Sequence, residues 1–171
     1  MNRFWKAVLL TTLVAGTLDI IAAHVHLTIL RGVFPTKMFY GIAAGAIGLK
    51  TALTGGPAIF VLGVFIHYFI SFSFTLFFFL LFPAVRKLSP NRYLNGLLYS
   101  LFVWLTMNFI VLPLTALPRK PFVFNIHQAV GFLILVVVFG LPISIMIDKY
   151  YKSRTTRDNA NSIQQTGLIQ G

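Results

Sequence analysis

The chain has 171 residues, of which 57% are hydrophobic, 15% aromatic and only 10% charged, with a formal net charge of +11. A soluble domain is about 25% charged, and eighteen Phe exceed what one water-soluble core of this size would bury, so lipid is the natural solvent for the surface. The absence of Cys excludes disulfides, thiolate metal sites, iron–sulfur clusters and thiol catalysis, and the basic residues form no stripe or motif of the kind that binds nucleic acid.

The first apolar run covers residues 4–30 and ends at Arg31. Arg3 and Lys6 ahead of it, with Ala22 and Ala23 within it, imitate a secretory signal. The run exceeds the usual signal core of about 7–15 residues and contains Asp19, so a retained transmembrane helix is expected. Its segment "VAGTLDIIAAHVH" holds Asp19, His24 and His26. An Asp at mid-bilayer costs roughly 2.5–3.5 kcal/mol on insertion scales, and this chain has only three acidic residues to place.

The next stretch, "FPTKMFYGIAAGAIGLKTALTGGP", is too short and too flanked by charge to span. It predicts an interfacial or partly re-entrant helix near residues 36–52 on the outer side. Gly41, Gly45 and Gly48 lie with Ala44 on one narrow face, where another helix of the same chain can approach closely. Gly55-Gly56-Pro57 then turns the chain into a second span, residues 57–82, stopped by Pro83, Arg86 and Lys87.

A third span over residues 93–117 stops at Pro118, and a fourth over 126–147 stops at Asp148 and Lys149. Pro113 and Pro142 fall inside these spans and predict kinks. Residues 150–171 are polar, rich in Ser, Thr, Asn and Gln, and lack a periodic apolar face, which predicts a disordered tail. The expected fold is therefore all-α. It is a polytopic membrane domain over residues 1–149, with four transmembrane helices, a short outer-side interfacial helix and a cytoplasmic tail.

Basic residues set the orientation. Arg3, Lys6, Arg86, Lys87, Arg92, Lys149, Lys152, Arg154 and Arg157 fall on one side, and Arg31, Lys37, Lys50, Arg119 and Lys120 on the other. The excess places both termini in the cytoplasm.

Depth can be counted at about 1.5 Å per residue from the inner end of each span. Asp19, His67 and Asn108 then fall roughly 22 Å above the inner boundary, and we read them as a candidate polar cluster. His24, His26 and His127 form an outer tier some 30 Å up, and with the first three could line a funnel from the outer surface. An Asp facing lipid would be neutralised or dragged to an interface, whereas in the bundle it can meet Asn, His or water.

Three classes of function follow. The leading one is the handling of protons or a small polar solute through Asp19, His67 and Asn108. The second is a non-catalytic accessory or structural subunit that uses the Gly41–Gly48 face against another membrane protein or a second copy of the chain. The third is a haem held between His24 and His127, or a metal held by Asp19 and His67 with Asn108 or His26. No nucleophile–base pair, zinc-protease motif, phosphate loop or carboxylate pair is present, so the sequence favours a non-enzyme without a cofactor.

Two segments bear a family likeness. "GLLYSLFVWLTMNFIVLPLTALP" with the later His127 and Gly131, and "GVFIHYFISFSFTLFFFLLFP" with its in-membrane His and terminal Phe-Pro, resemble the YagU-like group of small bacterial inner-membrane proteins. "GTLDIIAA" is similar to a further set of four-span proteins. The resemblance implies the bacterial cytoplasmic membrane as location and carries over no activity.

Overall fold

The computed structural model describes residues 2–118 and 125–169, and every regular element among them is helical. The order is α1 (Arg3–Arg31), α2 (Met38–Ile47), α3 (Leu49–Thr54), α4 (Pro57–Leu88), α5 (Arg92–Thr106), α6 (Ile126–Leu135) and α7 (Leu141–Ile169). α5 runs on through a π-helical segment, Met107–Val111, and a 3-10 turn, Leu112–Leu114; a second π segment, Val136–Gly140, joins α6 to α7.

Four helices are long and apolar enough to cross a membrane: Arg3–Leu30, Pro57–Leu88, Arg92–Leu114 and Ile126–Arg157. Met38–Ile47 is a shorter apolar helix. Arg119 and Lys120, counted above on the outer side, lie outside the described residues.

The starts of these helices are written locally. Asn2 caps α1 by accepting from the Phe4 N–H, Asn91 caps α5 by accepting from Tyr93 and Leu94, and Asn125 caps α6 by accepting from Gln128. α4 begins instead with Pro57 in its first turn, where a missing N–H costs nothing. α1 ends on Gly32 at φ 67°, and Gly48 at φ 83° breaks the segment between the first two spans into α2 and α3.

Both in-span prolines sit just beyond a π segment: Pro113 follows Met107–Val111, and Pro142 follows Val136–Gly140. Widening the helix by one residue spares the ring a clash with the preceding turn, so these sites are the physical form of the expected kinks.

Two boundaries differ from the sequence reading. Pro83 does not stop the second span, which continues to Leu88. Proline lacks the N–H that would bond the carbonyl four residues back, here Phe79. The Tyr151 hydroxyl, from α7, donates to that oxygen at 2.8 Å. The orphaned acceptor is thus satisfied from another helix, and α4 need not end.

Residues 150–169, expected to lack structure, continue α7 instead. No Gly or Pro interrupts residues 150–166. Lys152 pairs with Asp148 one turn back, Nζ to Oδ2 at 2.7 Å, and Tyr151 stacks on Phe82 at 5.7 Å between ring centroids. Side-chain support of this kind carries the helix beyond the apolar run.

The four spans pack in chain order around a ring. α1 lies against α4 and the fourth span, α5 lies against the fourth span and more sparingly against α4, and α1 and α5 stand diagonally opposed. The helices show inverted amphipathicity, as expected where lipid is the solvent. On α4 the buried stripe is Gly63, His67, Ser71, Thr75, Phe78 and Phe82, while Val61, Phe65, Phe69 and Leu80 are exposed.

The tightest core lies in the half of the bundle that holds both chain ends. There Val8, Phe78, Phe79, Phe82, Tyr99, Phe139, Ile143 and Ile147 are all buried. Phe78 and Tyr99 stack with centroids 3.9 Å apart.

Small residues set the close crossings. A Cβ on Gly140 would lie 1.8 Å from Ser100 Oγ and 2.6 Å from the Gly96 carbonyl. One on Gly63 would lie 2.0 Å from the Phe39 carbonyl, which is how α2 seats on α4. The expected glycine face of α2 takes a different part. Ala43 and Ala44 are its buried residues, Gly41 has nothing within 4 Å of a built Cβ, Gly45 touches Thr115, and Gly48 serves as the break.

Candidate functional site

The candidate site is built where α1 crosses α4. Thr11, Thr12, Ala15 and Gly16 are buried on α1, opposite His67, Ser71 and Thr75 on α4. Gly16 permits the approach: a Cβ there would come 3.1 Å from Ser71 Oγ and 3.3 Å from the Tyr68 ring. The Thr17 and Tyr68 hydroxyls bond each other at 2.8 Å across the same seam.

His67 is 9% exposed, and its Nε2 lies 2.8 Å from the Gly16 carbonyl oxygen. A carbonyl only accepts, so Nε2 carries a proton and donates it. Any further proton that His67 gains or loses while keeping this bond is therefore on Nδ1. Asp19 stands one turn beyond Gly16 on the same helical face. Its half-buried carboxyl group lies within Coulombic reach of His67. Among the described residues no hydrogen bond or close ion pair holds the Asp19 carboxyl group, and His67 is the charged neighbour it senses.

Asn108 belongs elsewhere. Its Nδ2 donates to the Trp104 carbonyl on its own helix at 2.8 Å. It sits in the π segment following α5, diagonally across from α1. Equal depth did not make the two residues neighbours.

The three histidines expected to form an outer tier also separate. His24 donates from Nδ1 to the Ile20 carbonyl at 2.8 Å and is flanked by Phe34 and Phe39, with ring centroids 5.4 and 5.8 Å away. It lines a groove of about 550 Å³ with Ile20, Val25, Thr28, Phe34 and Phe39. That lining is almost wholly apolar, not the polar funnel suggested by depth counting. His26 is half-buried, and His127 is exposed in the first turn of α6. Among the described residues no three His, Cys, Asp or Glu side chains are grouped to hold a metal ion.

Two buried polar features, one in this seam and one on α7, were not picked out from the sequence. Thr12 and Thr75 are buried in the seam with hydroxyls that have no hydrogen-bond partner among the described residues. Thr75 was legible from the four-residue spacing His67, Ser71, Thr75, a polar stripe in an otherwise aromatic helix. Asp148, read only as a stop signal, is 2% exposed and ion-paired with Lys152.

No protein-family model, curated protein or solved structure matches the chain.

Proposed function

We propose that the Asp19–His67 pair is a proton-binding site inside a multi-pass protein of the bacterial cytoplasmic membrane, and that the protein handles protons or a small polar solute through it. The observation that supports this most directly is the Asp19 carboxyl group within Coulombic reach of a buried imidazole, one nitrogen of which is committed to the Gly16 carbonyl. A purely structural hydrogen-bonding residue would instead be satisfied within the bundle, as Asn108 is.

The chemistry is that of a coupled acid–base pair. With one titratable proton on either the carboxyl group or Nδ1, the pair is net neutral, as acid and imidazole or as carboxylate and imidazolium. A second proton makes it cationic, and loss of the titratable proton makes it anionic. Both charged states are costly in a low-dielectric seam, so uptake on one side of the pair favours release on the other. The buried hydroxyls of Thr12, Ser71 and Thr75 continue the polar seam toward the end of the bundle that bears the termini. The excess of basic residues at that end supports its being cytoplasmic, and the likeness to YagU-like proteins supports the bacterial membrane.

The test is proton flux into proteoliposomes that contain a trapped pH dye, under an imposed potential. Wild-type protein is expected to acidify the lumen well above protein-free vesicles. The near-isosteric Asp19→Asn and His67→Gln should each reduce the rate on the order of a hundredfold, the lower range of what a positioned proton-transfer group contributes. Folded Asp19→Asn protein that conducts like wild type would remove this reading.

A further inference from the structure

At the end of the bundle away from the His24 groove, the start of α1 and the extension of α7 line an open cavity of about 480 Å³. Three arginines from two helices line it: Arg3, Arg154 and Arg157. Asn2 and Ser153 add uncharged polar groups, and Phe4 and Tyr150 form an aromatic flank with ring centroids 6.3 Å apart. We propose that this cavity binds the phosphate of an anionic phospholipid headgroup.

Charge is the first argument. The whole chain has three acidic residues. Asp19 lies within the first span, and Asp148 is buried and paired with Lys152. The third, Asp158, belongs to the same stretch of sequence as Arg154 and Arg157, and this end also carries Lys6, Arg86, Lys87 and Lys149. The cavity therefore lies in a strongly cationic surround. Guanidinium groups bind phosphate oxygens through paired N–H donors, which a scatter of surface lysines does not reproduce. The amino end of α1 opens into the same space and adds the positive end of a 29-residue helix dipole.

Position argues for lipid over a free ion. The lining residues sit at the extreme ends of two membrane-crossing helices, Arg3–Leu30 and Ile126–Arg157, where headgroups lie. Trp5, 44% exposed and two residues from Arg3, is the kind of aromatic that anchors at this level. A volume near 480 Å³ also exceeds what a bare phosphate fills and suits a headgroup with its glycerol. Basic pockets of this type on membrane helices are known lipid sites in general. The inference is independent of the Asp19–His67 reading.

The experiment uses the purified full chain in neutral detergent, with thermal unfolding and native mass spectrometry as readouts. Added phosphatidylglycerol should raise the unfolding midpoint and stay bound through detergent stripping, while phosphatidylcholine and inorganic phosphate do much less. The triple variant Arg3→Gln, Arg154→Gln, Arg157→Gln should fold normally and lose phosphatidylglycerol affinity by tenfold or more, on the order of one charge-assisted contact. A charge-matched control, Arg86→Gln, Lys87→Gln, Lys149→Gln, should retain it. Equal loss in the control would mean diffuse surface attraction, and equal stabilisation by inorganic phosphate would mean a free-anion site. Either outcome overturns the proposal, as does undiminished lipid binding by the arginine variant.

Discussion

Gly140→Ala is expected to destabilise the bundle by about 3 kcal/mol or more, at the upper end of what overpacking costs. The added methyl would sit 1.8 Å from Ser100 Oγ and 2.6 Å from the Gly96 carbonyl. The hydroxyl can rotate away, at the loss of its 2.8 Å bond to the Gly96 carbonyl, but the backbone oxygen cannot. The fourth span must then move off α5. Association of membrane helices rests on packing and hydrogen bonding, because lipid tails are as apolar as the side chains they touch. A lost crossing therefore has no hydrophobic term to fall back on.

Gly131→Ala, in the same span, is the internal control. Nothing lies within 4 Å of its built Cβ, so the change should be neutral or stabilise by up to about 1 kcal/mol through helix propensity. Denaturation in mixed micelles, followed by circular dichroism, measures both variants. Adding Ser100→Ala should recover part of the Gly140→Ala loss and no more. Equal stability of the two alanine variants would mean that the α5–fourth-span crossing is not as close as described.

The four spans were legible because each apolar run is long enough to cross a membrane and is bounded by charge or proline. The short helix between the first two spans was legible by the same length argument, although its break at Gly48 was not. Depth was countable at a fixed rise per residue, and it set Asp19, His67 and Asn108 at similar heights. Depth, however, says nothing about which spans are neighbours. α1 packs on α4 and stands across the bundle from α5, so His67 comes to Asp19 and Asn108 bonds its own helix. The Gly41–Gly48 face misled for a related reason. Small residues mark where helices can approach, and here the approach is made by Gly63, on the partner helix. Pro83 misled because a helix stop is a statement about one missing hydrogen bond, which a residue 68 positions later, Tyr151, supplies to Phe79.

That last contact gives a prediction with its own cross-check. Tyr151→Phe keeps the ring that stacks on Phe82 and removes only the hydroxyl. Phe79 is fully buried, so water does not readily replace the lost donor at its carbonyl. Leaving a buried acceptor unpaired costs about 1–3 kcal/mol, and the variant should lose stability in that range. The cost should depend on Pro83. In Pro83→Ala the new N–H at position 83 bonds the Phe79 carbonyl within α4, so the acceptor no longer relies on α7. In that background Tyr151→Phe should be nearly silent, and the double-mutant cycle should give a coupling of about 1 kcal/mol or more. A cost for Tyr151→Phe that is the same with and without the proline would show that the phenol stabilises α7 by its ring alone. The continuity of α4 through Pro83 would then need another donor. A coupling of the stated size would instead tie the extension of α7 to the proline of α4, so that weakening one loosens the other, and with it the arginine-lined cavity that the extension completes.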